Sequence, residues 1–262
     1  MKKVFITIFA VLATLQMSAQ LVSVDELAKM IKEPNLVVID ARPAGDYLKT
    51  HIDGAINIDA ISLSTNTPVE GTLKSAADLA NIFASNGVSP KNKVVIYCKT
   101  GVSAGRMYWV MKHIGFKDVS LLDGNMAGWF AARKPITKNA KKLPAATFSP
   151  TVNASMLATK DYVKSKMSSA GTVLVDSRAA ADYEAGHIGN AVNIPNDNLS
   201  VNSKLKSVAE LTTLFSAVPK DKEVIVYCKT GVTGSFTYFV LTSVLKYPNV
   251  KLYAGSYSDW TR

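Results

Sequence analysis

The sequence predicts an α/β protein of two tandem domains, each a mostly parallel sheet flanked by helices on both faces. Three observations lead there. Short apolar runs rich in β-branched residues alternate with helix-like segments, the pattern of strands buried on both faces of a parallel sheet. The chain is also written twice. Leu36-Val37-Val38-Ile39-Asp40-Ala41-Arg42 returns as Thr172-Val173-Leu174-Val175-Asp176-Ser177-Arg178, and His51-Ile52 with Ala55 returns as His187-Ile188 with Ala191. Finally, the only two cysteines open near-identical hexapeptides, Cys98-Lys99-Thr100-Gly101-Val102-Ser103 and Cys228-Lys229-Thr230-Gly231-Val232-Thr233. The offset between copies is 136 at the histidines and 130 at the cysteines, so the segment between them is six residues longer in the first copy. A period this long means tandem domains rather than a solenoid.

Taken in order, the apolar runs predict strands near 36–40, 94–98 and 119–122, then 172–176, 223–228 and 250–253. Helical patterns fall near 23–32, 75–86 and 103–115, then 154–168, 206–217 and 233–246. Asn86-Gly87 and Pro90 stop the second of these helices. Leu122-Asp123-Gly124 through Trp129 is answered by Tyr253-Ala254-Gly255 through Trp260, with both tryptophans read as packing residues. The expected domains are 21–134 and 151–262. Between them, residues 135–150 carry Pro135, Pro144 and Pro150 among several lysines, a linker expected to run over the surface of both halves.

Residues 1–19 read as a secretory signal peptide. Lys2-Lys3 precede an apolar run, Val4 to Leu15, and Met17-Ser18-Ala19-Gln20 supplies small residues before an expected cut after Ala19 or Gln20. The run is short for a bilayer span, and no cysteine follows it to take a lipid. An exported, periplasmic protein is expected, with no membrane association after cleavage. Removal of the segment takes the formal net charge from +10 to +8. The basic residues are spread along the chain and no nucleic-acid motif accompanies them, so attraction of small anions is the preferred reading and nucleic acid is not an expected partner.

Each cysteine leaves the carboxyl end of a strand and enters a loop leading into a helix amino terminus. Backbone N–H groups converge at such a place and favour negative charge, which suits a thiolate or a bound anion. Gly101 and Gly231 let the backbone curl with its amides inward. Lys99 and Lys229 add a cation near an anionic donor, while Ser103 and Thr233 offer a hydroxyl hydrogen bond at the helix start. A disulfide is the competing reading for two cysteines in an exported chain. It needs only two sulfurs at bonding distance, however, and does not call for Lys-Thr-Gly-Val after each of them.

The Asp-Ala-Arg and Asp-Ser-Arg segments, the His-Ile-x-x-Ala segments, the Cys-x-x-Gly-Val-Ser/Thr loops and the closing Gly124 and Gly255 turns together resemble the rhodanese family, specifically its tandem thiosulfate and 3-mercaptopyruvate sulfurtransferases. The resemblance covers essentially the whole chain after residue 19. It implies two tandem rhodanese-like domains and an enzyme that moves a sulfane sulfur to a thiophilic acceptor, cyanide or a thiol, through a cysteine persulfide. It implies no metal or other cofactor; the partners are a small anionic donor, a small acceptor or a protein sulfur acceptor. Family habit places the working cysteine at Cys228, with Cys98 as a second catalytic candidate. The substrate-binding candidates are the remaining loop residues 99–103 and 229–233 together with Arg42 and Arg178. Tandem members often carry a substrate-gripping arginine where this chain has Asp46 and Asp182, which speaks for a carrier, while Lys-Thr after each cysteine lies between the thiosulfate-type and mercaptopyruvate-type loops and leaves the donor open.

Several residues have a plainer reading. Asp40 with Arg42 and Asp176 with Arg178 are expected as structural ion pairs. His51 and His187 are expected to hold loops rather than to act as bases for the cysteines. Arg106, present only in the first copy, is expected to be solvated or locally paired at the surface. A cysteine phosphatase or arsenate reductase is set aside, because the position six residues after each cysteine is Ala104 or Gly234 instead of a phosphate-clamping arginine. Thiol–disulfide exchange is set aside for want of Cys-x-x-Cys. The principal rival is a non-catalytic sulfane-sulfur carrier or binding module serving an exported partner.

Overall fold

The structure, a computed structural model, describes residues 20–262. The signal-peptide reading falls outside the described residues. In the first domain β1 (Leu21–Val22), β2 (Leu36–Asp40), β3 (Ile56–Asn57), β4 (Lys93–Tyr97) and β5 (Val119–Leu122) form a parallel sheet in the order β1-β5-β4-β2-β3. In the second, β6 (Leu157–Ala158), β7 (Thr172–Asp176), β8 (Val192–Asn193), β9 (Glu223–Tyr227) and β10 (Val250–Tyr253) repeat it as β6-β10-β9-β7-β8. The registers correspond: Asp40 lies beside Tyr97, and Asp176 beside Tyr227. The six long strands coincide with the sequence expectation to within a residue. The two-residue edge strands do not show in the sequence.

The helices are α1 (Val24–Met30), α2 (Ala44–Lys49), α3 (Ala76–Ser85), α4 (Val102–His113) and α5 (Asn125–Ala131) in the first domain. Their counterparts are α6 (Lys160–Lys166), α7 (Ala180–Glu184), α8 (Val208–Leu214), α9 (Val232–Phe239) and α10 (Ser256–Trp260). Local chemistry sets several starts. Ser23 with Glu26, and Ser207 with Glu210, form capping boxes, each satisfying two otherwise orphan amides. The helix expected over 154–168 is shorter. A 3₁₀ turn at Ala154–Met156 leads into β6, which pairs with β10, and Thr159 then caps α6 by accepting from the Tyr162 amide. The pattern expected over 233–246 divides as well, with α9 passing into a π-helical stretch at Val240–Val244.

The inner faces of the two sheets share one core. Helices α4 and α9 lie against each other between the domains and contribute Met107, Tyr108, Trp109, Phe236 and Phe239 to it. Tyr108 and Phe239 meet edge to face at 4.9 Å between ring centroids. Each such ring buries about 150–250 Å², on the order of 4–6 kcal/mol of hydrophobic stabilisation before entropy is counted. The outer face of the first sheet is closed by Leu27, Tyr97 and Trp129, and that of the second by Val163, Tyr227 and Tyr253.

The connecting segment is an ordered strap on the first domain. Ile136–Thr137 pairs antiparallel with His51–Ile52. The Lys141 amide donates to the Tyr47 hydroxyl, the Ala146 amide to the Ala84 carbonyl, and the Thr151 amide to the Ile114 carbonyl. Each of these contacts is with the first domain.

Candidate functional site

Each cysteine follows directly on a central strand, β4 or β9, and its loop ends in a glycine with positive φ, +99° at Gly101 and +81° at Gly231. Both glycines are needed for more than φ. A Cβ on Gly231 would lie 2.4 Å from the Ala254 carbonyl oxygen, and one on Gly101 would lie 2.8 Å from the Phe236 ring. The turn aims the glycine's own amide at the sulfur: Gly101 N–H donates to Cys98 Sγ at 3.1 Å, and Gly231 N–H to Cys228 Sγ at 3.1 Å. Both thiols are free and buried, so the disulfide alternative is not the state of this molecule.

Each loop is also tied from behind. The Cys98 amide donates to Asn125 Oδ1, and the Cys228 amide to Ser256 Oγ. Asn125 and Ser256 occupy corresponding positions at the starts of α5 and α10, both with φ in the left-handed region. No repeat in the sequence marks them, because the two side chains differ. Burial pushes the Cys98 thiol above its ordinary range, opposed by the amides of Ala104, Thr100, Gly101 and Ser103.

The domains roof each other's loops. In the first copy a hairpin, Ser64–Thr65 with Thr72–Leu73, follows the 3₁₀ turn and reaches across to the second domain. A Cβ on Gly71 would fall 2.5 Å from the Thr230 carbonyl oxygen. In the second copy the hairpin Ser200–Val201 with Lys204–Leu205 reaches the first domain, where Asn125 Nδ2 donates to the Ser203 carbonyl. The first hairpin has residues 66–71 between its strands and the second only 202–203. Four of the six residues that distinguish the copies therefore lie at this tip. Beside the Cys228 loop this leaves a cleft of about 490 Å³, lined from the second domain by Thr230 and Val232 and from the first by Ser64, Glu70, Gly71, Ser103 and Arg106. The corresponding space beside Thr100 and Val102 is about 250 Å³ and ends on Phe236. A larger groove of about 680 Å³ lies along α3 and is lined by no residue of either cysteine loop.

Arg106 corrects the sequence reading. It is buried to 1% exposure at the domain interface, and not at the solvated surface. Its Nη1 donates to the Gly231 carbonyl at 3.4 Å, and its Nη2 to Ser64 Oγ at 3.1 Å and the Gly71 carbonyl at 3.4 Å, while Nε has no partner. Burial lowers its pKa to about 10, and the proximity of Cys228 acts the other way. It is cationic at neutral pH.

The other predicted residues fall as follows. Arg42 is engaged by both Asp40 oxygens and by the Thr50 carbonyl, and Arg178 by both Asp176 oxygens and the Gly186 carbonyl. Their guanidinium forks are filled inside their own domains, each in a close ion pair. Lys99 is exposed, and Lys229 is exposed with Glu70 of the opposite domain 3.6 Å away. Ser103 and Thr233 are half-buried in the first turns of α4 and α9. Gly101 and Gly231 stand in the N-cap places. His51 bonds the Tyr47 and Asn139 carbonyls and stacks on Tyr47, while His187 bonds the Tyr183 carbonyl. Both histidines hold loops.

Two parallel-sheet domains, each delivering a free cysteine from its central strand into an amide-lined loop, define a thiol-dependent enzyme of doubly repeated α/β architecture. Comparison with known proteins gives it a family. The Rhodanese-like domain model matches residues 23–132 and again 159–262. The 3-mercaptopyruvate sulfurtransferase of Escherichia coli K12 is 31% identical over 264 residues, covering 91% of this chain and 94% of that one. The thiosulfate sulfurtransferase of Pseudomonas aeruginosa is 30% identical over 255 residues, covering 90% and 91%. The crystal structure of SseA from Escherichia coli, a 3-mercaptopyruvate sulfotransferase of rhodanese fold, superposes with a TM-score of 0.85 at 30% identity, over 92% of this chain and all of that one. The chain belongs to the rhodanese family and is a tandem-domain sulfurtransferase.

Proposed function

We propose that the protein takes a sulfur atom from thiosulfate or 3-mercaptopyruvate onto Cys228, holds it as the sulfane sulfur of a persulfide, and delivers it to a thiol or to cyanide. The Cys228 thiolate attacks the outer sulfur of thiosulfate, the S–S bond breaks, and sulfite leaves with the bonding pair. With 3-mercaptopyruvate the C–S bond breaks instead, and the pyruvate enolate leaves and takes up a proton. The acceptor then attacks the outer sulfur of the persulfide and restores the thiolate. The observation that carries this reading is the Gly231 amide pointed at Cys228 Sγ from a positive-φ turn at the start of α9, a donor arrangement that stabilises an anion on the sulfur or on a second sulfur beyond it. Cys98, in the same kind of loop, is the second candidate, and its loading would add a second sulfur. The proposed setting is an exported one, on the strength of the basic and apolar segment at residues 2–15.

Intact mass after incubation with thiosulfate tests the reading in wild type, Cys98→Ser and Cys228→Ser. The expected result is a cyanide-reversible gain of about 32 Da, one sulfur, that Cys228→Ser abolishes. Absence of any gain from either donor in wild type would refute it. Stoichiometric loading without turnover would establish the carrier role instead.

A further inference from the structure

The two copies are related position by position, and at one place this relation breaks. Arg106 on α4 and Phe236 on α9 correspond at the offset of 130 that relates the cysteines. Arg106 crosses to the Cys228 loop and Phe236 crosses to the Cys98 loop. Their hairpin partners correspond too, at the offset of 136: Ser64 Oγ accepts from Arg106, whereas Ser200 Oγ faces the cavity that ends on Phe236 and is buried with no partner. One loop has a buried cation beside it and the other has a phenyl ring.

We propose that Arg106, supplied by the first domain, is the anion-recognising residue of the Cys228 site, and that Phe236 in the equivalent place denies the Cys98 loop the same anion. The proposal deepens the sulfurtransferase reading and rests on Cys228 being its working thiol. The geometry supports it in three ways. The guanidinium lines the cleft beside Thr230 and Val232. Its Nε–H is buried and unpaired, a donor that costs free energy until an acceptor arrives. Among the described residues it is also the only cation lining that cleft, which Asp59 and Glu70 line as well, so the site suits a small anion with one charged end better than a large polyanion. The arginine missing at Asp182 is thus replaced from across the domain interface. This kind of receptor needs both domains.

The test measures charge selectivity, which does not depend on sulfur transfer. Cys228 is alkylated in the Cys98→Ser background, and Cys98 in the Cys228→Ser background, each with anionic iodoacetate and with neutral iodoacetamide. The expected result is a rate ratio favouring iodoacetate at Cys228 relative to a free thiol and no such preference at Cys98. Arg106→Met should lower the Cys228 ratio on the order of tenfold, the weight of one lost charge-assisted hydrogen bond, with Arg106→Lys restoring part of it. A ratio unchanged by Arg106→Met overturns the proposal. Should that variant fail to fold, protection by sulfite decides on the unmodified arginine: sulfite must slow alkylation of Cys228 and leave Cys98 unaffected, and equal protection of both sites overturns it. Charge selectivity at Cys228 without any sulfur uptake would keep the anion site and refute the sulfurtransfer chemistry alone.

Discussion

Gly105 lies flat against Phe236: a Cβ on the glycine would fall 2.7 Å from the Phe236 Cα. The obstructing atom is backbone and cannot rotate aside, so any side chain here pushes α4 and α9 apart.

Gly105→Ala is therefore expected to destabilise the protein although alanine is the better helix former. The propensity gain of about 1 kcal/mol is set against overpacking of about 1–3 kcal/mol and the loss of contacts along the whole helix pair. A thermal melt should show a lower midpoint. A raised midpoint would mean that the helices are not in close contact at this point.

Asp40, fully buried at a strand end, holds the Arg42 fork and also accepts from the buried Tyr97 hydroxyl. Asp40→Ala leaves the guanidinium without its carboxylate and the phenol without its acceptor. Urea denaturation should show a loss of roughly 3–5 kcal/mol, the usual cost of breaking one side of a buried pair. Replacing both partners with apolar residues should cost much less.

His113 stacks on Trp109 and bonds the Asn153 carbonyl where the strap enters the second domain, and burial holds its pKa below the ordinary imidazole value. In the acidic window beneath about pH 6.5 the unfolded chain therefore binds more protons at this site than the folded one. The stability contribution is fully present above that pH and is lost as pH falls toward the folded-state pKa. His113→Gln should flatten the pH dependence of the unfolding free energy there and leave it unchanged at pH 8. An unchanged acid slope would place the titration elsewhere.

Lys229 and Glu70 bridge the domains at 3.6 Å, with both side chains mostly exposed. Such a pair contributes little to stability, so Glu70→Gln should leave the melting midpoint nearly unchanged. Its expected effect is on the donor. With Lys229 no longer neutralised, KM for thiosulfate should fall by roughly two- to threefold at low salt, and the change should vanish at high ionic strength. Steady-state kinetics at two salt concentrations would check this.

The repeat made much of the architecture legible. Six five- or four-residue strands and both cysteine loops could be placed from residues alone, because apolar runs and a shared hexapeptide are local signals. What escaped was short or non-local. Leu21–Val22 and Leu157–Ala158 are too brief to show alternation, and they become strands only by pairing with β5 and β10. Arg106 reads as an ordinary helix residue because its partners lie 35, 42 and 125 positions away. Two signals were available: arginine opposite phenylalanine in the aligned copies, and the six extra residues before the first cysteine. Neither has a meaning until the fold shows that each copy builds the wall of the other's site.

That mutual roofing has a consequence for how the molecule diverged. Two identical subunits related by a true twofold axis would carry the same side chain at positions 106 and 236, and would have two clefts of one size. Joining the copies in one chain removes that restriction. One mouth can lengthen its tip and acquire a charge while the other tightens around a ring, and the fold, which depends on the shared core between α4 and α9, is left intact.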